Sequence, residues 1–535
     1  MKGTTCTTVG ISALVCVPLL HCGGAFTLQS TPLRRRADTR CYVASASPPF
    51  STTASGIWDT SSAATDAATE SSNALQTILG GEEDMRDFFD QVWQKVPRVF
   101  RNTNGGSRTD PYSRQVDMGL QGIVKALDNA CQTFLEPLTA ESQNSLPMVS
   151  RNRQCLSLQE LAPLYGNDLF AAYLDGCSII MNHVDRLCPN TAALCEDLQK
   201  TFPFAYANAY LTPPASQAVA AHADDRDVFV IQVYGQKAWR VYEEIPIQYP
   251  YPHEQVGKNG MPVPQSVLEG PCSIDTVLRP GDVLYIPRGH VHQATTYTQG
   301  ADEAIQPSFH ITIALATFDW ALSGLMATAV KRTLDEIPEY RAAIPLAVGM
   351  NDNAEEIPLE QRQQLESSVD AALEIVRKEL TTKAINAYLR QKYQWHTSKS
   401  RPQRLERIAE GSTRPTATGS DAIIGPEAAK GITMTSWVRP STPAELASMR
   451  NVRQKQAPIL REETAGALSE ILGIIRKEDA SPVQISQLLK LVSGPGGGDR
   501  SIEGVGKYQY VCDLTLLSFI RSCVERGELS VVAMD

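Results

Sequence analysis

The stretch AHADDRDVFVIQVYGQKAWRVY, residues 221–242, decides how this chain is read. It opens with His222 and Asp224, two positions apart, and continues into two β-rich runs separated at Gly235. On a strand or at its edge, residues i and i+2 point to one face, so both side chains could reach one metal ion. A third ligand must then come from a distant strand. GDVLYIPRGHVHQATT, residues 281–296, offers it. Gly281-Asp282 makes a turn, LYIP is a strand, and His290 and His292 lie beyond the next glycine-containing bend. Two histidines and one carboxylate on one side of a metal, with the other positions open, form the facial triad of non-haem Fe(II) sites.

An HxD pair alone is weak, since most such pairs are surface residues. Its surroundings strengthen it: a strand-rich context, a second histidine after a GD…PRG turn, and a lysine at a useful distance. Lys237 follows the Gly235 turn, where a buried ammonium could neutralise the distal carboxylate of 2-oxoglutarate. Trp239, Val241 and the VFVIQV run read as core. His290 and His292 share i, i+2 spacing, so spacing alone does not choose between them. SFHITIA (308–314) sets Ser308 and His310 on one face of a further strand. His310 is conceivable as a ligand, but a hydrogen-bonded pocket histidine is the preferred reading.

From about 200 to 318, short β-branched and aromatic runs are punctuated by Gly, Pro and Asp, the texture of an all-β barrel or sandwich. Upstream, EEDMRDFFDQVWQKVPRVF predicts an amphipathic helix with Phe88, Phe89 and Val92 on one side, ended by Pro97. Residues 44–80 are Ser/Thr/Ala-rich with few large apolar residues and read as a disordered linker. After Trp320 the texture turns helical; the long apolar periodicity around 359–393 predicts packing against another helix or a second subunit. Residues 398–445 read as loops. From 451, helices near 464–477, 484–493 and 511–526 and a closing apolar pair of short strands suggest a winged-helix-like unit. The resulting layout is 1–43 presequence, 44–80 linker, 81–320 β-barrel domain, 321–450 helical region with loops, and 451–535 winged-helix-like domain.

With 535 residues, 42% hydrophobic and 20% charged, the chain has the composition of a multidomain globular protein. Its formal net charge of -10 gives no general electrostatic reason to bind nucleic acid. The 12 cysteines form no CxxC pair, which argues against a zinc ribbon or a thioredoxin-type site. At the N-terminus, Lys2, the apolar Val9–Leu20 run, small Gly23 and Ala25, then the basic TLQSTPLRRRADTR resemble a bipartite plastid presequence, in which a Phe follows the first cleavage point, here Phe26. No other stretch is long and apolar enough for a transmembrane helix.

These segments together resemble the ribosomal oxygenase family of JmjC proteins, usually described as bifunctional lysine-specific demethylases and histidyl-hydroxylases. NAYLTPPASQ (208–217), HADD, VFVIQVYGQKAWRVY, GDVLYIPRGHVHQA and SFHITIA follow in family order, and FFDQVWQKVP and GCSIIMNHVDRLCP (176–189) look like family segments. The resemblance covers about 85–320 strongly and the rest more weakly. It implies an α+β chain: a double-stranded β-helix of the JmjC/cupin type, a helical dimerisation region and a C-terminal winged-helix-like domain. By position, it implies His222, Asp224 and His292 as iron ligands and Lys237 as the 2-oxoglutarate anchor, with Asn208, Tyr210 and Ser308 lining the co-substrate pocket. Ala223 replaces a frequent aromatic and Ala218 a frequent Gly; Ala223 is expected to reshape the groove for the prime substrate.

The implied activity is Fe(II)- and 2-oxoglutarate-dependent dioxygenation of a protein: histidyl hydroxylation of a ribosomal protein, with histone lysine demethylation as the family's second activity. The partners so implied are a ribosomal protein or a histone, and a second copy of the chain. Family members of this kind sit in the nucleus and nucleolus, whereas the N-terminus points to an organelle. Two other classes compete: a non-catalytic cupin that binds peptide or assists ribosome assembly, and a metal-dependent cupin isomerase or hydrolase without 2-oxoglutarate.

Overall fold

The computed structural model describes residues 74–80, 82–102, 119–134, 145–258, 260–297, 306–345, 348, 356–412, 424–449, 455–477, 481–492 and 510–532. The presequence, most of the linker and residues 298–305 lie outside them.

Eleven strands build the central domain: β1 (Arg98–Phe100), β2 (Met148–Arg151), β3 (Gln154–Cys155), β4 (Ser178–Met181), β5 (Ala205–Thr212), β6 (Val228–Tyr234), β7 (Lys237–Tyr242), β8 (Cys272–Leu278), β9 (Val283–Ile286), β10 (His292–Thr296) and β11 (Ser308–Leu315). They form one sheet in the order β1-β9-β6-β11-β5-β4-β2-β3 and a second in the order β10-β7-β8, all antiparallel.

The large sheet is covered on both faces, which explains its near-continuous apolar runs. Along β6, Phe229 and Ile231 join the main core while Val228 and Val230 face the small sheet. β9 and β11 alternate likewise: Tyr285 and Ile311 join the main core, and Leu284 and Ala314 face inward. Between the sheets, Val228, Val230, Trp239, Val241, Leu278, Leu284, Ile286 and Ala314 form a dry plug. Asn208, Thr212, Gln232, Lys237, His292 and His310 are polar residues on strands of the same two sheets.

Around this barrel several sequence expectations need correction. The linker does not extend to residue 80: Ala74–Leu79 is a helix with Ala74, Leu75, Ile78 and Leu79 buried. Six residues are too few to alter a composition average. The helix expected up to Pro97 stops earlier. Glu82–Asp87 runs into a π-helical turn, Phe88–Val92, and Trp93 leaves helical geometry at ψ 120. That break turns Phe88 onto Phe229 and Tyr285 at ring-centroid distances of 5.6 and 5.0 Å, so tertiary aromatic packing outweighs helix continuation.

The long helical stretch is two helices, Leu359–Glu379 and Thr382–Trp395, beside Leu322–Asp335. Residues 398–445 are not loops throughout. They hold the end of a π-turn (His396–Ser400), helices Arg401–Ser412, Pro426–Lys430 and Pro443–Ser448, and strand β12 (Trp437–Pro440). Arg401 explains the first of these helices: its Nε donates to Asp185 Oδ2 at 2.9 Å, with both side chains almost fully buried. Composition is blind to so distant a partner.

The C-terminal unit has helices Glu462–Lys477, Ile485–Val492 and Asp513–Glu525 and a three-stranded sheet, β13 (Val483–Gln484), β12 and β14 (Leu529–Val532). Of the expected closing pair of strands the described residues hold one, β14, whose partner β12 lies upstream of 451, so the boundary at 450/451 cuts this sheet. The unit packs on the barrel domain: Arg521 pairs with Asp128, and Arg461 donates to the Pro214 carbonyl at 2.7 Å.

Candidate metal centre

His222 lies just before β6 and forms a single-residue antiparallel bridge with His292, the first residue of β10. Its N–H donates to the His292 carbonyl at 3.1 Å, and the His292 N–H donates back at 2.9 Å. Two imidazoles from distant segments are thereby pinned opposite each other, with ring centroids 4.5 Å apart. Asp224 is held by its own carbonyl, which accepts from Gly289 N–H at 2.9 Å. Gly289 has φ +89, and a Cβ there would fall 2.7 Å from the Ile247 carbonyl, so this bend requires glycine.

The donor atoms of His222, Asp224 and His292 all lie within 4.8 Å of one another. His222 Nε2 is 3.6 Å from Asp224 Oδ1, and His292 Nε2 is 3.7 Å from Asp224 Oδ2. Each imidazole turns Nδ1 to a backbone carbonyl, Ala220 for His222 at 2.8 Å and His290 for His292 at 3.1 Å. This assigns the proton to Nδ1 and leaves both Nε2 atoms unprotonated beside Asp224, the outer-shell arrangement common to metal-ligating histidines. Burial pushes both imidazoles below their usual range, helped for His222 by Lys258 and His292. Burial favours protonation of Asp224, but Lys258 and the two imidazoles outweigh it and hold the carboxyl well below the usual range. Two neutral nitrogens and one carboxylate are the donor set for a dication.

His290 lies outside this cluster. It sits in the turn before β10 with Nδ1 on the Pro287 carbonyl at 3.2 Å. His310 is not in the cluster either; it lies flat against Tyr210 at 4.7 Å and 2°.

Lys237 opens β7 and is only 2% exposed. Gly235 makes the preceding turn possible: at φ +61, a Cβ would fall 2.0 Å from the Pro307 carbonyl. The ammonium donates to Thr212 Oγ1 at 3.0 Å and faces His310 Nδ1 at 3.4 Å. Burial pushes its pKa down to about 7. No carboxylate of the described residues pairs with it.

Asn208, Tyr210 and Thr212 alternate along one face of β5, opposite Thr312, His310 and Ser308 on β11. Asn208 Oδ1 accepts the His183 N–H at 3.0 Å, and Ser308 Oγ accepts from Gln232 Nε2 at 3.0 Å. Thr212, Gln232 and Lys258 were missed from sequence. Extending the β5 alternation by one step would have found Thr212; Lys258 lies on a loop with no periodic signal. Trp239, expected to be core, does pack in the plug, yet its ring also stands 6.0 Å from His292 and 5.4 Å from His310. Its buried Nε1–H has no partner.

The arrangement is a double-stranded β-helix of the JmjC type with a candidate metal site, and the family comparison agrees. A family model described as a JmjC domain matches residues 181–317. Bifunctional lysine-specific demethylase and histidyl-hydroxylase NO66 of Drosophila mojavensis is 32% identical over 269 residues, 46% of this chain and 29% of that protein. Its counterpart in Drosophila melanogaster is 38% identical over 178 residues, 32% of this chain and 26% of that protein. The chain thus spans less than a third of the length of these relatives. Among solved structures, Escherichia coli ribosomal oxygenase YcfD is similar at 14% identity and a TM-score of 0.32, covering 83% of this chain and 97% of that one. Residues 181–317 thus carry a JmjC domain, and the chain is similar over part of its length to bifunctional lysine-specific demethylases and histidyl-hydroxylases.

The cofactors implied are Fe(II) and 2-oxoglutarate, and the residues present fit both. Two imidazoles and a carboxylate converge as an iron site requires. Nearby stand a buried ammonium without a counter-ion and an orphaned indole N–H, groups that a dicarboxylate would satisfy.

Proposed function

We propose that this chain is a protein hydroxylase using Fe(II), 2-oxoglutarate and dioxygen, and that its substrate is a histidine side chain of a ribosomal protein. One observation carries the reading: His222, Asp224 and His292 converge at one end of the barrel, and a buried, counter-ion-free Lys237 stands on the strand paired with the one that bears His292. The relatives' printed names supply the histidyl substrate class.

His222 and His292 would offer Nε2 to iron and Asp224 a carboxylate oxygen. Lys237, with the Thr212 hydroxyl beside it, would take the distal carboxylate of 2-oxoglutarate. Asn208, Tyr210 and Ser308 would line that pocket, and the Tyr210–His310 stack would form a wall against which the co-substrate lies. The apolar plug beneath keeps water out. When bound, iron and 2-oxoglutarate supply the oxidising power that places one oxygen atom of dioxygen on a substrate C–H, the other ending in succinate as carbon dioxide leaves. The protein contributes position and dryness.

The net charge of -10 suits a basic ribosomal or histone segment as partner. A dimer is part of the proposal. Leu322, Leu359, Val369 and Leu373 are exposed on the helices of 322–379, and Leu322–Asp335 buries no residue of its own. The basic, Ser/Thr-rich N-terminus supports import into an organelle, which would make the substrate an organellar ribosomal protein; a fluorescent fusion of residues 1–60 that stays nuclear or cytosolic removes this part.

The decisive assay supplies Fe(II), 2-oxoglutarate and histidine-containing ribosomal-protein peptides, and follows succinate and peptide mass. Succinate formation coupled to a one-oxygen gain on histidine is expected. Formaldehyde release from a methyl-lysine peptide would instead assign demethylation. Turnover retained in His292→Ala would sink the ligand assignment, and no turnover with any peptide would favour a non-catalytic binding module.

A further inference from the structure

Between β7 and β8 the chain makes a loop that carries no recognisable motif, yet it is built into the metal centre. The Val256 carbonyl accepts Ala223 N–H at 2.8 Å, between the two HxD residues. Gly257, at φ +82, lies so close to His222 that a Cβ would fall 2.7 Å from His222 Cα and 2.3 Å from the Ala221 carbonyl. The next residue, Lys258, sends its ammonium to Asp224 Oδ1 at 2.6 Å and to Gln255 Oε1 at 3.1 Å. The loop closes on itself through Lys258 N–H to the Gln255 carbonyl at 3.0 Å and Gly257 N–H to the Met261 carbonyl at 2.6 Å. A cation is thus delivered by a latched loop onto one oxygen of a metal-site carboxylate.

We propose that Lys258 is a positioning residue of the metal centre: by holding one oxygen of Asp224 it keeps this carboxylate a one-oxygen ligand and preserves an open coordination position on the iron. The inference rests on the oxygenase reading above. An octahedral ion offers six positions. His222, His292 and one oxygen of Asp224 would take three, a chelating 2-oxo acid would take two, and dioxygen would need the last. A carboxylate free to chelate through both oxygens would close that last position. Oδ1 is occupied by a charge-assisted hydrogen bond, which leaves Oδ2 for metal.

The sign of the effect on metal affinity separates this role from ordinary support. A cation beside a dication weakens metal binding by Coulomb repulsion, and denying the metal a second oxygen weakens it further. Removing Lys258 should therefore tighten metal binding while slowing turnover. A residue that merely orients a ligand does the opposite, since losing outer-shell support typically loosens metal binding about 10–100-fold.

The test compares the full-length wild type, Lys258→Met and Lys258→Arg, with Co(II) binding read by calorimetry and visible absorption, and with succinate formation under saturating Fe(II) and 2-oxoglutarate. Lys258→Met should bind Co(II) at least threefold more tightly, change the Co(II) spectrum in the presence of 2-oxoglutarate, and form succinate at least tenfold more slowly with an unchanged melting temperature. Lys258→Arg should recover most of the turnover. Weaker Co(II) binding by Lys258→Met, or a loss of turnover smaller than tenfold, overturns the proposal and leaves the oxygenase reading standing. Absence in the wild type of Co(II) binding that His222→Ala abolishes, together with absence of turnover, overturns both.

Discussion

Replacing Lys237 by Met should make the protein more stable and unable to hold its co-substrate. The ammonium is 2% exposed and has a hydroxyl and an imidazole for company but no counter-ion. Burial takes its pKa from an ordinary 10.5 to about 7, which corresponds to about 5 kcal/mol against the charged form. Because the folded pKa is depressed, the unfolded chain binds more protons between pH 7 and 10.5. The full penalty is therefore present below about pH 7 and fades as pH rises toward 10.5. Met is apolar and of similar length. It removes the penalty and forfeits the bonds to Thr212 and His310, about 1 kcal/mol each. A net gain of roughly 3 kcal/mol at pH 6.5 remains. In a chain of this size that is a rise of several degrees in melting temperature, shrinking by pH 9.5.

Co-substrate binding should move the other way. Met would leave a carboxylate buried without its cation, so 2-oxoglutarate affinity should fall at least about 100-fold, with Co(II) affinity unchanged. In the wild type the lysine must be protonated to bind, so above pH 7 the Kd should rise, approaching tenfold per pH unit, and this dependence should vanish in the variant. Differential scanning fluorimetry at pH 6.5 and 9.5, with calorimetric titration of 2-oxoglutarate, reads every quantity. A variant no more stable than wild type at pH 6.5 and still binding 2-oxoglutarate within threefold would refute the reasoning.

Trp239→Phe keeps a ring and deletes the unpartnered N–H. If that group meets the co-substrate, 2-oxoglutarate Kd should rise about fivefold to tenfold at constant Co(II) affinity, the worth of one hydrogen bond, and an unchanged calorimetric Kd refutes the contact. Gly257→Ala drives a Cβ into the Ala221 carbonyl and His222. It should cost about 2–4 kcal/mol and at least tenfold in Co(II) affinity; wild-type melting and metal binding would show that the loop gives way freely. Arg401→Met strips the partner from buried Asp185 and should destabilise by about 3–5 kcal/mol in denaturant titration. Adding Asp185→Asn should recover part of that loss, and an additive double variant would deny the coupling.

The metal centre was legible because its signals are local. The HxD spacing puts two ligands on one face, and a glycine turn marks where Lys237 enters a strand. Spacing alone did not choose between His290 and His292, which only the family resemblance separated, because the choice depends on where a strand begins. β10 starts at His292 and bridges His222, while His290 remains in the turn on the Pro287 carbonyl. A boundary one or two residues wide is the least readable feature of a sequence. Lys258 was invisible for a different reason: its loop is shaped by contacts with residues 221–224 rather than by any period of its own. The helix beginning at Arg401 and strand β12 share this cause, since a buried ion pair to Asp185 and a ladder to β14 reach far along the chain.

The two halves of the site are spaced by one ladder. On β7 and β10 the paired rows are Lys237 with Thr296, Trp239 with Ala294, and Val241 with His292. The proposed co-substrate anchor therefore stands four residues from the His292 row, roughly 13 Å of backbone at about 3.3 Å per residue. On that face the Lys237 ammonium lies 5.9 Å from the Trp239 ring centroid, and the Trp239 ring in turn stands 6.0 Å from that of His292. A slip of one residue would turn every functional side chain to the wrong face. A slip of two would preserve every face and still shift Lys237 by roughly 7 Å against His222, Asp224 and His292. The row-by-row pairing, more than the identity of any one residue, is what makes three distant segments a single site.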